Sequence, residues 1–250
     1  ITETLYIPPF ASIVGDGKEK TVITQTADKP VMKTVDGELP VNKLTRDDLL
    51  TTTGPNQTNQ VLIQGITIKN STNNIGLFVQ TCKDSVFRDL GFEGPWIAID
   101  GDIANNNAIY LEQLNAAITT NSNMFENITM SGYSRLINAD DEVVNNKFTN
   151  CVLHNSRYGV VFGSAPRGIP GSSAGPLDNT ITNSLFRLIH SQAIWIALGT
   201  GNISSANRFE DNIGYNFGGA SSVTKTSVLS FDNPGNDSVG DTFLRSKQLG

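Results

Sequence analysis

The sequence is short of the residues that usually announce chemistry. Of its 250 residues only two are cysteine, Cys82 and Cys151, and only two are histidine, His154 and His190. Two isolated cysteines in a chain this long make neither a disulfide framework nor a zinc site. Apart from Cys151, three residues before His154, neither histidine has a Cys or His neighbour at ligand spacing, and two ligands do not make a site, so no metal centre and no cofactor are expected. There is no run of Lys or Arg, and the net charge is -6 with a pI near 4.9, which excludes a nucleic-acid surface. No apolar stretch reaches the roughly 18 residues a spanning helix needs, so membrane insertion is not expected. Charged residues make up only 17% of the chain. Asn-Gly hairpin turns are scarce, which tells against a sandwich built from hairpins. The chain opens at Ile1 without a targeting segment and reads as a piece of a longer protein.

What is present is 38% hydrophobic residues set in Asn, Ser, Thr and Gly, a turn-rich and β-rich composition. Short segments recur: VLIQGITI, SVFRDLGF, NMFENITM, NKFTNCVL, NTITNSLF, NRFEDNIG and a truncated DTFLRS. Their anchors are Ile63, Phe87, Phe125, Phe148, Ile181, Phe209 and Phe243, and the shortest spacing gives a unit of about 23 residues. Apolar residues fall at the anchor, three on and five on, as in Phe87, Leu90 and Phe92. A strand alternates with period two, so a step of three requires a bend between. The bend residue is Gly65, Asp89, Asn127, Asn150, Asn183 or Asp211. Gly, Asn and Asp are the types that tolerate a left-handed backbone. Asn127, Asn150 and Asn183 are therefore read as structural corners between two strands.

A third strand precedes each anchor, with inward pairs Leu77/Val79, Ile109/Leu111, Val160/Phe162, Ile194/Ile196 and Leu229/Phe231. LYI at Leu5 and VMKTV at Val31 fill the same slot. Three strands per turn, repeated about eight times, predict an all-β solenoid whose stacked turns bury one core. It reads as a single domain over 1–250, with insertions near 36–60 (KLTRDDLL predicting a short helix), 93–108, 163–178 and 215–226. Like insertions on like edges predict a trough over the first-strand sheet.

The asparagine corner and the opening LYIPPFASIVGDGKEKTVI resemble the pectate-lyase-like superfamily of right-handed, single-stranded parallel β-helices. The short Asn-rich units are most similar to bacteriophage tailspike and tail-fibre members. The resemblance covers nearly the whole chain and implies a phage-tail protein, in the virion or extracellular, trimeric, meeting other tail proteins and host cell-surface polysaccharide. It does not extend to the catalytic motifs of the superfamily's best-marked enzymes. Of the polygalacturonase-like motifs only Arg245-Ser246-Lys247 is present, and the paired-Arg segment of pectate lyases is echoed only by Arg167 beside Pro166.

Parity places Tyr6, Phe78, Tyr110, Val161 and Trp195 on the outer side of the first-strand sheet. Aromatic rings pack on the apolar faces of sugars, so Tyr110, Trp195 and Phe78 are the expected glycan platforms. The plainer expectation is that a loop or a neighbouring subunit covers them. For chemistry, glycoside hydrolysis needs two carboxylates. Asp140 and Asp141, at the corner of one turn, and Asp178, at the same corner of the next, are the catalytic candidates. A second acidic group is Asp100, Asp102 and Glu112. The plainer reading of both is solvated turn acids. His154 and His190 read as surface histidines about two turns apart. Two functions follow: a structural, polysaccharide-binding phage-tail protein, or a carbohydrate-active enzyme on the same scaffold.

Overall fold

The computed structural model describes residues 1–34, 58–97, 102–113, 119–163, 175–212, 215–218, 222–225, 228–232 and 234–246. Among them the protein is all-β, with no helix. Three long parallel sheets have eight strands each. The first runs from Leu5–Ile7 through Met32–Thr34, Leu77–Gln80, Asn107–Glu112, Arg135–Ala139, Tyr158–Phe162 and Ile194–Ile196 to Leu229–Phe231. The second includes Leu62–Gln64, Val86–Arg88, Met124–Glu126, Lys147–Thr149 and Thr180–Thr182, and the third Thr67–Asn70, Gly91–Glu93, Thr129–Ser131, Val152–Ser156 and Leu185–Ile189. The chain visits the three in rotation and pairs each strand with its predecessor in the same sheet, an arrangement compatible with a parallel β-helix solenoid. A fourth, four-stranded sheet of two-residue strands (Thr58–Asn59, Cys82–Lys83, Thr120–Asn121, Val143–Val144) lies between the first and second along the chain. The region 215–226 contains an antiparallel hairpin, Tyr215–Gly218 with Ser222–Lys225. Most of the expected insertions at 36–60 and 163–178 (residues 36–57 and 164–174), the KLTRDDLL helix and part of 93–108 lie outside the described residues.

Left-handed residues turn the corners. Between the second and third sheets Gly65, Asp89, Asn127, Asn150 and Asn183 have φ of +69, +54, +55, +54 and +50°. Ile63, Phe87, Phe125, Phe148 and Ile181 stand in one inward register column of the second sheet. The column then departs from the sequence reading. Ile181 pairs with Ser204, whereas Phe209 pairs with Phe186 and Phe243 in the third sheet. Phe209, Phe243 and Asp211 therefore belong one sheet further on, and the corner of that circuit is Ala206, φ +52°.

The reason is core volume. Phe87, Phe125 and Phe148 stack in the second sheet with centroids 4.8 and 4.5 Å apart. Opposite them the third sheet supplies Phe92, Met130 and Leu153. Where the second sheet thins to Ile181 and Ser204, the third takes over the aromatic stack with Phe186, Phe209 and Phe243, 4.8 and 4.9 Å apart. From the circuit of Phe87 onward each keeps at least one large ring in the core, whereas the two before it carry Ile13 with Ile23 and Ile63 with Ile68.

A column of asparagine side chains locks the turn entering the second sheet. Asn123, Asn146, Asn179 and Asn202 are buried, and each donates its Nδ2–H to Oδ1 of the next, at 2.9, 3.0, 3.0 and, to Asn236, 3.0 Å. The same Oδ1 atoms also accept the preceding asparagine's backbone N–H, at 2.9–3.1 Å. The remaining Nδ2–H of each caps a backbone carbonyl, of Cys82, Val144, Val143 and Pro176 in turn. A tight corner inside a solenoid would otherwise strand these backbone groups away from water.

Candidate functional site

The outer face of the first sheet differs in chemistry from those of the other two. Its central row, read by register, is Tyr6, Lys33, Phe78, Tyr110, Asn138, Val161, Trp195 and Ser230. Phe78 and Trp195 are half-buried. Tyr110 is 2% exposed, Asn138 2% and Val161 0%, so the middle of the row is closed within the chain. Tyr110 is therefore no open platform, and the continuous aromatic floor expected from parity alone is interrupted. Lys33 Nζ lies 4.5 Å above the Phe78 ring, and Phe78 meets Tyr110 with centroids 5.1 Å apart. Burial pushes the Lys33 ammonium below its ordinary value, against the opposing pull of Glu112.

The carboxylates regroup relative to the sequence reading. Leu111 pairs with Ala139, so Glu112 and Asp140 follow as neighbours on adjacent strands, both buried. Asp140 N–H donates to the Leu111 carbonyl at 3.2 Å, Tyr110 Oη–H donates to Asp140 Oδ2 at 3.1 Å, and Gln80 Nε2–H donates to Glu112 Oε2 at 2.9 Å. Glu112 thus stands beside Asp140 and not with Asp102. Asp102 lies at the other end of the strand, ion-paired to Arg135 at 2.8 Å. Burial pushes the Asp102 carboxyl up, but the Arg135 hydrogen bonds and charge, with Ser134 and Arg157, outweigh it and hold it below the usual range. Asp100 lies outside the described residues.

Asp141 is buried in a left-handed corner at φ +58°. Asp178 is not brought opposite Asp140. Leu177 bridges to Val144, which makes Asn145 the counterpart of Asp178, and both are left-handed at φ +53°. Asp178 is exposed and turns the chain into buried Asn179. The sequence missed the five-residue displacement because the insertion hides where the corner ends.

Trp195 is fixed at its edge. Its Nε1–H donates to Asp232 Oδ2 at 2.9 Å, and Ser230 Oγ–H donates to Asp232 Oδ1 at 2.9 Å. The Tyr158 ring lies 5.9 Å away at a 33° tilt. His154 lies on Val152–Ser156 and His190 just after Leu185–Ile189, the strand paired with it, so the two are one circuit apart and not two. Burial holds both imidazoles below their ordinary value, and His190 packs edge-on against Trp96. Among the described residues no group of three or more His, Cys, Asp or Glu is placed to hold a metal ion. Nor is any helix there long and apolar enough to cross a membrane.

Comparison with known proteins finds no matching family model, no matching curated protein and no matching solved structure.

Proposed function

We propose that the chain is a right-handed, single-stranded parallel β-helix of about eight coils, of the pectate-lyase-like kind, serving as a phage tailspike or tail-fibre protein that holds host-surface polysaccharide. The observation that carries this reading is the outer row of the first sheet, where half-buried Phe78 and Trp195 flank a closed centre of Tyr110, Asn138 and Val161. The accessible parts of those two rings offer π surface to the apolar faces of a neutral polysaccharide's sugars, and Ser230 and Asp232 beside Trp195 offer polar groups to its hydroxyls. The assembly in this reading is a homotrimer attached to other tail proteins, in the virion or extracellular. Trp195→Ala is expected to abolish binding of host polysaccharide and to leave the melting temperature within about 2 °C of the parent, because the ring packs outside the core. Undiminished binding by that variant would sink the assignment of this face. Sedimentation of the protein is expected to give three chains per particle, and a monomer would remove the trimer.

One observation favours a second reading, a carbohydrate-active enzyme. Glu112 and Asp140 are register neighbours, with Tyr110 hydrogen-bonded to Asp140. Adjacent strands lie about 4.8 Å apart, and glycosidase carboxylates stand roughly 5–9.5 Å apart. Under this reading, mass spectrometry finds cleaved oligosaccharides after the parent meets its glycan. Glu112→Gln and Asp140→Asn would each stop cleavage while binding persists. A parent that yields no fragments excludes the enzyme and leaves the adhesin.

A further inference from the structure

The clamp on Trp195 carries an inference about what the first sheet binds, and it rests on the polysaccharide-binding reading above. Asp232 is exposed, and its carboxylate accepts one hydrogen bond on each oxygen, from the Trp195 indole and the Ser230 hydroxyl. Among the described residues no Lys or Arg forms an ion pair with it. A carboxylate has about four acceptor positions, so roughly half of the capacity of this exposed group is left for a ligand. The indole N–H is already spent on Asp232, so the exposed part of the ring offers only its π surface. The backbone fixes both partners: Trp195 pairs with Ser230 across neighbouring strands, and Asp232 N–H donates to the Ile196 carbonyl at 2.8 Å.

We propose that Trp195 and Asp232 form one subsite for a neutral pyranose, in which the sugar stacks its C–H face on the indole and donates hydroxyl hydrogens to Asp232. Asp232 is a contact residue for the sugar and a positioning residue for the ring. Its charge selects as well as binds. Hydroxyls donate to an anion and are drawn in, whereas a uronic-acid or phosphorylated sugar brings like charge within a few ångströms and is turned away. Holding the indole beforehand also removes part of the ordering cost of binding.

The test uses the whole chain with two readouts. The first is acrylamide quenching of tryptophan fluorescence, which needs no ligand. Trp96 is 2% exposed, so quenching reports Trp195. Asp232→Ala is expected to raise the quenching constant at least twofold. The second is titration with neutral hexasaccharides of glucose, galactose and mannose, and with hexagalacturonate. The parent is expected to bind at least one neutral hexamer and to reject the uronate. Asp232→Ala should weaken the neutral hexamer at least tenfold. Asp232→Asn keeps an acceptor for the indole but loses the charge, and should recover part of that loss while admitting the uronate.

If Trp195→Ala loses binding and Asp232→Ala keeps both affinity and quenching, the clamp is wrong and the glycan face stands. If Asp232→Asn rejects the uronate as the parent does, the charge filter is wrong. If the parent binds no hexamer, or Trp195→Ala binds like the parent, the glycan reading falls and this subsite with it.

Discussion

Removing one link of the asparagine column tests whether it holds the fold. Asn179 is fully buried, and it is joined to both neighbours. Its Oδ1 accepts from the Asn146 backbone N–H at 2.9 Å and from Asn146 Nδ2 at 3.0 Å. Its Nδ2 donates to the Val143 carbonyl at 2.8 Å and to Asn202 Oδ1 at 3.0 Å. In Asn179→Ala the Val143 carbonyl keeps the Leu177 N–H, and Asn146 Nδ2 keeps the Val144 carbonyl. The Asn146 backbone N–H has no such second partner and is stranded in the interior. One buried orphan costs about 1–3 kcal/mol, and the other lost bonds about 1 kcal/mol more, so a loss of about 2–4 kcal/mol is expected. That is a large share of a typical total of about 5–15 kcal/mol. Urea unfolding followed by tryptophan fluorescence measures it. Asn183→Gly is the control: the residue is exposed at φ +50°, where glycine is at ease, and should change stability by less than about 0.5 kcal/mol. Asn179→Asp separates donors from acceptors. It keeps the acceptor for Asn146 but sets a carboxylate against the Val143 carbonyl, so it should be weak at pH 7 and recover in acid, when the carboxyl becomes a donor. A shift for Asn179→Ala no larger than that of the control would refute the reasoning.

The thiols give a second prediction. Cys82 and Cys151 are free and buried, so neither should label in the native protein and both should label in denaturant without reductant; an intramolecular disulfide in the mass spectrum would contradict the fold. Burial pushes both thiols up from 9.0 to about 12. The folded chain holds these protons more tightly than the unfolded one. Their contribution is therefore whole below about pH 9 and is lost as the pH rises towards 12, and Cys151→Ala should flatten that alkaline fall in stability. A third concerns Gly199, at φ +102°, where a Cβ would lie 1.9 Å from the Pro176 carbonyl oxygen. Gly199→Ala should lower the melting temperature by several degrees, and an unchanged melt would show that the corner relaxes freely.

The parts of the fold that were legible are those where one residue type answers one local demand. Asn127, Asn150 and Asn183 break strand parity where the backbone is left-handed, and that break can be read in a single unit. The strand Arg135–Ala139 is hard to read as an inward pair, because its register column ends on Ala139 and its outward residue is Asn138, which leaves little apolar contrast. The asparagine column was visible as the Asn that opens NMFEN, NKFTN and NTITN, but its meaning is not local. An amide two residues before an anchor becomes a ladder only when the turns stack at one register. The neighbouring of Glu112 and Asp140 fails to show for the same reason: they are 28 apart in sequence and adjacent only through the pairing of Leu111 with Ala139.

The transfer of the aromatic stack from the second sheet to the third explains how such a chain can keep its scaffold while its outer faces diverge. If large inward residues were fixed in one sheet, a misplaced anchor would disrupt the core. Here Ile181 and Ser204 are tolerated because Phe186 and Phe209 fill the same cross-section from another side. What must be kept is a filled core and the hydrogen bonding at the corners, not the identity of any column. The outward residues enter neither condition. That leaves the first sheet free to carry Lys33, Glu112, Asp140 and the clamped Trp195, while the second presents Thr149 and Thr182, joined by a hydroxyl hydrogen bond of 3.2 Å. The second and third sheets spend their outward charges on pairs along the stack, Arg88 with Gln64 and Lys69 with Glu93, whereas the first carries the accessible indole of Trp195, so that face is the place to look for what the protein binds.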